Sequence, residues 1–200
     1  MTLTVLKPRD LLLRTVCVPI SKKALKTTKL QETIDALLDF VYSNNNKGKK
    51  MNKNKAMTVG LSANQVGITK RIAIVDLAIG KKTYNDIHVL INSEIVWHSK
   101  TIVVRSESCV NLPNIWGFVK RYKKIKVKTL DRSGNELLLT LTGWPAILLQ
   151  HEIDHLNGKL FIDKLEDPKR AHLVTDEEYK TYKKDKKNWH TYIDVSHLLS

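Results

Sequence analysis

The sequence has little cysteine and no long apolar run. Its 200 residues include two cysteines, Cys17 and Cys109, so a disulfide-rich scaffold is excluded. No apolar run approaches the roughly 20 residues that a membrane-spanning helix needs. Residues 1–10 lack the apolar core of a secretion signal. We therefore expect a cytoplasmic protein with no membrane partner, although an organelle or a phage-infected host cell would suit the same features.

The basic charge is concentrated in two stretches without acidic residues. The chain carries 34 lysines and arginines against 20 aspartates and glutamates, a net charge of +14. Five lysines lie within residues 47–55, and six basic residues lie within 120–128. Such stretches are typical of solvated loops or of a surface for an anionic partner such as RNA or the ribosome. Aromatic residues, at 6%, do not alternate with the basic ones, so base-specific readout and a DNA partner are not expected.

Hydrophobic periodicity predicts several elements within a single domain. Apolar residues at helical spacing indicate a first helix at 28–43, followed by an Asn- and Lys-rich insertion at 44–57. Strands are predicted at 71–77, 88–91, 124–129 and 137–141, with a turn at 131–134. A helix at 145–156 begins near a proline and ends before Asn157-Gly158. A polar final helix, from 175 to about 189, is expected to pack loosely.

Residues 151–155 read His-Glu-Ile-Asp-His and fit the pattern H-E-x-x-H. On a helix, His151 and His155 lie one turn apart on the same face, so both imidazoles can bind one metal ion. Glu152 lies between them and can accept a hydrogen bond from a water molecule at the metal. The neighbouring residues are apolar, so the helix is expected to be buried, where unpaired polar groups are costly. The alternative is a pair of hydrogen-bonded core histidines.

A catalytic metal site needs a third protein ligand and an open position for water. Downstream of the helix, His172, Glu166 and Glu177 are available, although their spacing matches no known ligand pattern. Cys109 is the other candidate, because a thiolate between two strand-like segments could face the helix. The alternative, which is equally compatible with the sequence, is that Cys109 is an ordinary buried cysteine. Cys17 lies in an apolar stretch and is expected in the core. The residues alone leave this choice open.

Residues 59–67 combine small and polar side chains. Gly60 would let a backbone approach a ligand closely, and Gln65 offers an amide donor. The simpler explanation of this segment is a turn before a strand.

Together, the three segments resemble the peptide deformylase family. Its motifs are G-L-A-A-x-Q, E-G-C-L-S and Q-H-E-x-D-H-L-x-G, in that order. Here residues 60–65 read G-L-S-A-N-Q, residues 107–111 read E-S-C-V-N, and residues 150–158 read Q-H-E-I-D-H-L-N-G. The third motif is intact. The departures are Ser62 for alanine, Ser108 for glycine, Val110 for leucine and Asn111 for serine.

Weaker similarities extend the resemblance over residues 5–165. They lie at 10–14, 90–92, 117–121 and 160–163. The resemblance therefore predicts a catalytic domain at 1–165, interrupted by the insertion at 44–57, and a partly helical C-terminal extension at 166–200.

The resemblance implies a metal-dependent hydrolase that removes the formyl group from N-formylmethionyl nascent peptides and releases formate. The metal ligands that it implies are Cys109, His151 and His155. The expected natural ion is Fe²⁺, with Ni²⁺, Co²⁺ or Zn²⁺ as substitutes. Glu152 would carry a proton from water to the leaving amine. The Gln65 side-chain amide and the Val110 backbone N–H would stabilise the oxyanion.

The resemblance also implies the surroundings of the site. The substrate-binding residues are Val59, Gly60, Leu61, Ile147 and Leu148. An Arg121–Asp154 ion pair would brace the helix against a strand. The implied fold is α+β, with antiparallel strands packed around a central HExxH helix and an N-terminal helix outside. A monomer is expected.

Two other functions fit parts of the sequence. A different HExxH metal hydrolase, such as a metalloprotease, would use a third His or Glu ligand, and it leaves Cys109 and Gln65 unexplained. An inactive relic with a structural metal and an RNA- or ribosome-binding surface would agree with Ser108 and Asn111.

Overall fold

The computed structural model describes residues 2–45, 59–79 and 86–199. The predicted insertion at 44–57, with its five lysines, lies outside these residues except for its first two, which complete a helix. Within the described ranges, no helix has both the length and the apolarity needed to cross a bilayer.

Two antiparallel sheets form the framework, which confirms the predicted α+β class. The first sheet has five strands in the order β1-β2-β3-β6-β7. These strands are β1 Gly60–Ser62, β2 Ile72–Asp76, β3 Ile87–His98, β6 Lys124–Leu130 and β7 Glu136–Thr142. The second sheet has the order β4-β5-β8-β9. Its strands are β4 Ile102–Cys109, β5 Leu112–Tyr122, β8 Ala171–Leu173 and β9 Tyr192–Ile193.

Helices cover both faces of the five-stranded sheet. The described α-helices are α1 Lys22–Leu25, α2 Thr28–Asn45, α3 Trp144–Leu156 and α4 Tyr179–Lys184. Helix α2, predicted at 28–43, packs on one face, and α3 packs on the other and also contacts β5 of the second sheet. Strand β2 is consequently buried on both sides: Ile72 and Ile74 face α2, whereas Ala73 and Val75 face α3. This double burial is why its sequence is continuously apolar.

Strand β6 has the two-residue period that its sequence predicts. Ile125 and Val127 are buried, while Lys124, Lys126 and Lys128 are exposed. The turn that follows is closed by Asp131, whose side chain accepts hydrogen bonds from the N–H groups of residues 133 and 135. The predicted return strand is β7.

The prediction of a strand at 88–91 was too short, because β3 continues to His98. Asn92 has a left-handed backbone with φ 56°, and the pairing with β6 shifts register twice between Ile91 and Trp97. These bulges break the alternation of buried and exposed residues, so the second half of the strand has no simple period in the sequence.

The expectation of a loosely packed final helix was wrong. The Thr175–Glu178 pair closes a capping box, but α4 ends at Lys184 rather than near residue 189. Tyr182 is fully buried, and Trp189 is 5% exposed. The rest of this segment supplies β8 and β9, and β8 pairs with β5. Sequence periodicity missed these strands because they have three and two residues.

The Tyr182 hydroxyl gives a test of how this segment is held. It lies 2.7 Å from Ser106 Oγ and 3.0 Å from His172 Nδ1, both buried. Tyr182→Phe should lower the free energy of unfolding by about 1–3 kcal/mol, because it leaves buried polar groups without a partner. Urea unfolding measures the change. Tyr179→Phe is the matched control, since the described residues offer its hydroxyl no hydrogen bond; equal stability of the two variants would contradict the prediction.

Candidate metal centre

Helix α3 places the H-E-x-x-H residues against both sheets. It begins after Gly143, has Pro145 in its first turn and ends at Leu156 with Asn157 as its C-cap, as predicted. Gly158 then adopts φ 70°, and a methyl group on it would lie 2.3 Å from the Arg14 carbonyl oxygen. Glycine is therefore required here both by the backbone conformation and by the close approach of the N-terminal segment.

Three side chains converge beside this helix. Single ligand atoms from Cys109, His151 and His155 all lie within 4.8 Å of one another. His155 Nε2 lies 3.3 Å from Cys109 Sγ and 3.2 Å from His151 Nε2. Tetrahedral ligands at ordinary metal–nitrogen and metal–sulfur distances lie roughly 3.4–3.7 Å apart. The three donors fit a single divalent ion in both chemistry and spacing.

The other candidates for the third ligand lie elsewhere. His172 is hydrogen-bonded to Tyr182, and Glu166 forms an ion pair with Lys120. Among the described residues, the one group of His, Cys, Asp and Glu side chains suited to a metal contains Cys109 and none of His172, Glu166 and Glu177. Cys17 is a buried core residue, and burial raises the pKa of its thiol to about 11.

Glu107 orients the first histidine, a role that the sequence did not reveal. His151 Nδ1 lies 2.9 Å from Glu107 Oε2, and because a carboxylate only accepts, Nδ1 is the donor. Nε2 then faces the other two candidate ligands, Cys109 and His155. Arg121 donates to both oxygens of the same carboxylate at 2.8 Å and also pairs with Asp154 on α3. Burial opposes ionisation of Glu107, but the hydrogen bonds from Arg121 and His151 lower its pKa to about 2.

The two histidines have opposite electrostatic environments. Burial lowers the pKa of His151, but its hydrogen bonds with Cys109 and Glu107 outweigh burial and raise that pKa well above the ordinary value. Burial, and then the charge of His151, lower the pKa of His155 well below its ordinary value. His155 is therefore neutral at pH 7, the form that ligates a metal, whereas a cation would displace a proton from His151.

Gln65 is 2% exposed and points its amide at the same centre. Its Nε2 donates to Asn111 Oδ1 at 2.9 Å and lies 3.2 Å from Cys109 Sγ. Asn111 in turn donates to the carbonyl oxygens of Leu6 and Gln65. In the sequence, Asn111 is only a departure from the E-G-C-L-S motif. The available clue to its positioning role was a polar side chain two residues after the candidate ligand Cys109, at the start of an apolar strand.

Ser108 and Val110 flank the cysteine at the end of β4, where the pairing with β5 shifts register. Val110 lies in the two-residue turn between β4 and β5 and is 42% exposed. Among the described non-glycine residues, positive φ occurs at Asn92 and Asn114 alone, so Ser108 occupies ordinary backbone space. The backbone conformation at this position therefore does not require glycine.

The predicted substrate-binding residues lie at β1 and on α3, and the two that belong to β1 point to opposite faces of the sheet. A methyl group on Gly60 would lie 2.4 Å from Glu152 Oε1 and 2.8 Å from Leu148 Cδ1, so Gly60 faces α3. Val59 packs against the apolar cluster that joins β2 to α3 and includes Leu148. Ile147, also on α3, is 3% exposed. The Leu61 side chain instead points to the opposite face, where it is fully buried among apolar residues of α2 and β2. Only the backbone of Leu61 can reach a substrate.

Comparison with known proteins agrees with this geometry. The family model for polypeptide deformylase matches residues 2–171. Peptide deformylase from Brachyspira hyodysenteriae is 37% identical over 156 residues, which are 77% of this chain and 79% of that protein. Peptide deformylase from Azotobacter vinelandii is 33% identical over 171 residues, which are 86% of this chain and 91% of that protein.

Solved structures give the same result. Class I type b peptide deformylase from Acinetobacter baumannii, bound to Met-Ala-Ser, has a TM-score of 0.70 and 30% identity, covering 82% of this chain and 99% of that chain. Peptide deformylase from Thermotoga maritima has a TM-score of 0.68 and 31% identity, covering 83% and 99%. The chain belongs to the polypeptide deformylase family.

Proposed function

We propose that this chain removes the formyl group from N-formylmethionyl nascent peptides and releases formate. The observation that carries this proposal is the convergence of Cys109, His151 and His155 beside the buried carboxylate of Glu152. The relative from Acinetobacter baumannii that binds Met-Ala-Ser, a deformylated peptide, supports the same substrate class.

In this proposal Cys109, His151 and His155 hold one divalent ion, which when bound supplies Lewis acidity and lowers the pKa of water. Thiolate and imidazole accept Fe²⁺, Ni²⁺, Co²⁺ and Zn²⁺, so the ligands alone do not select one; we propose Fe²⁺ as the natural ion. Glu152 takes the proton of the attacking water and returns it to the leaving amine. Burial raises the pKa of Glu152, which suits it to both steps.

The Gln65 amide and the Val110 N–H would donate to the oxyanion that develops on the formyl group. Gln65 is supported by its orientation, because its amide is fixed by Asn111 at 2.9 Å before any substrate binds. Donors that are already oriented lose no reorganisation energy during the reaction.

The substrate peptide would bind along β1, which is an edge of the five-stranded sheet. An edge strand leaves backbone groups open to pair with an extended peptide. Gly60 contributes backbone contacts, while Val59, Ile147 and Leu148 surround the methionine side chain. The assignment is supported by the apolar cluster that contains Leu148 and against which the partly buried Val59 packs, and by the burial of Ile147.

We further propose that α3 is the central element of the fold, that the catalytic domain comprises residues 1–165, and that 166–200 is an extension. Contacts of α3 with strands of both sheets support the first point. We propose a cytoplasmic monomer.

Formate release from formyl-Met-Ala-Ser in the presence of Fe²⁺ or Ni²⁺, against an unformylated peptide, tests the activity. A different HExxH hydrolase would cleave peptide bonds instead, and an inactive relic would release nothing. Either result would contradict the proposal.

Glu152→Ala should retain the metal but lower formate turnover by about 10²–10⁴-fold, because it removes the proton carrier and no ligand. Steady-state kinetics and metal analysis of the same sample check this prediction. A smaller loss at full metal occupancy would count against the role of Glu152.

Cys109→Ser should weaken metal binding by more than the roughly 10–100-fold that loss of an outer hydrogen-bond partner costs, because a neutral hydroxyl cannot replace a thiolate. Cys17→Ser is the matched control, since Cys17 is also buried but lies in the core away from the two histidines. Metal titration of both variants measures the effect. Equal affinities would remove Cys109 from the ligand set.

The lysine face of β6 supports a ribosome contact. Lys124, Lys126 and Lys128 are exposed, and Lys126 Nζ lies 5.7 Å from the ring centre of the half-exposed Trp97. Lysines beside an exposed aromatic ring suit phosphates and stacked bases. The other basic stretch, at 47–55, lies outside the described residues.

Replacing Lys124, Lys126 and Lys128 with glutamine should reduce co-sedimentation with ribosomes at low salt, because phosphate contacts are lost. Formate release from a short peptide should not change. Replacing the exposed Lys180, Lys183 and Lys184 of α4 removes the same charge and is the control. Equal co-sedimentation of the two variants would exclude the β6 face as the contact.

A further inference from the structure

We propose that the Ser62 hydroxyl positions the carboxylate of Glu152 for proton transfer. This inference rests on the proposed function, because it assigns a positioning residue to the same reaction. Ser62 is fully buried at the end of β1, directly beside α3.

The alternation of β1 brings two residues against one carboxylate. Residues 60 and 62 face α3, while Leu61 faces α2, as the two-residue period of a strand requires. A methyl group on Gly60 would lie 2.4 Å from Glu152 Oε1, so that oxygen rests against the bare glycine backbone. Ser62 Oγ donates to the other oxygen, Oε2, at 2.8 Å. The strand therefore fixes both oxygens, one by close contact and one by a hydrogen bond.

Ser62 also lies 2.9 Å from the backbone carbonyl oxygen of Glu152. The hydroxyl has one proton, and both of its acceptors belong to the same residue. Glu152 is 2% exposed, and Ser62 is the one side chain among the described residues that donates to its carboxylate. Without this hydroxyl, the carboxylate would lose the contact that selects its orientation.

The backbone of Ser62 orients the other polar side chain of the site. Its N–H donates to Gln65 Oε1 at 2.7 Å, which leaves Gln65 Nε2 directed at Asn111 and Cys109. Alanine would preserve this backbone bond and remove only the hydroxyl. The motif that residues 60–65 resemble has alanine at this position, so Ser62→Ala isolates the contribution of the hydroxyl by one substitution.

Ser62→Ala should lower kcat for formyl-Met-Ala-Ser by roughly 10- to 100-fold, the range of one hydrogen bond to a charged group, with KM and metal content unchanged. Ser93→Ala is the matched control, because Ser93 is also fully buried and its hydroxyl lies 2.9 Å from Thr129 Oγ1, outside the site. The control should lose similar stability and keep its kcat. In a Glu152→Ala background, Ser62→Ala should cause no further loss.

A second readout does not depend on turnover. In protein labelled with ¹³C at the glutamate carboxyl carbon, the Glu152 resonance is identified by its absence in Glu152→Ala. It should shift in Ser62→Ala and stay in place in Ser93→Ala. A parent enzyme that releases no formate but shows the shift would overturn the proposed function and leave the contact standing. An active parent whose Ser62→Ala variant keeps kcat within twofold, or whose resonance does not move, would overturn the inference alone.

Discussion

The guanidinium of Arg121 is the group on which the arrangement of the centre depends. From the second sheet it binds both oxygens of Glu107 and reaches Asp154 on α3. The ionised Glu107 then accepts the N–H of His151 and turns the free nitrogen of that ring toward Cys109 and His155. The position of the sheet, the direction of the helix and the tautomer of a candidate ligand are thus set by one connected chain of hydrogen bonds.

Burying so many charged groups is costly, and it is tolerated here because each has a partner. Arg121 is 3% exposed, and its pKa is raised because its bonds to Glu107 and Asp154 outweigh the opposing effect of burial. The interface between α3 and the two sheets buries these groups. Ala73 and Val75, the β2 residues that face α3, pack into the apolar cluster of this helix and so support its position beside the site.

The strongly periodic parts of the fold could be predicted from the sequence, as could the centre itself. The alternation of β6 follows from regular burial. Helix α3 is buried nearly all round and follows instead from Pro145 and Asn157-Gly158 at its ends, and the candidate ligands follow from their chemistry and from the resemblance. Other features depend on tertiary contacts that have no local pattern. The bulges at Asn92 and the burial of Tyr182 are examples. The opposite orientation of Leu61 was missed because a three-residue strand shows no measurable period, and the contact of Ser62 with Glu152 joins residues 90 positions apart.

Strand β1 ends after three residues, where the 3₁₀ turn Ala63–Val66 begins. At roughly 3.3 Å per residue, such a strand is about 10 Å long and can pair with only two or three residues of a partner. In the proposed binding mode, recognition is thus confined to the very beginning of a polypeptide. Strand β1 would then pair with the same short stretch in every substrate, so peptides that differ only beyond that stretch would bind this strand alike.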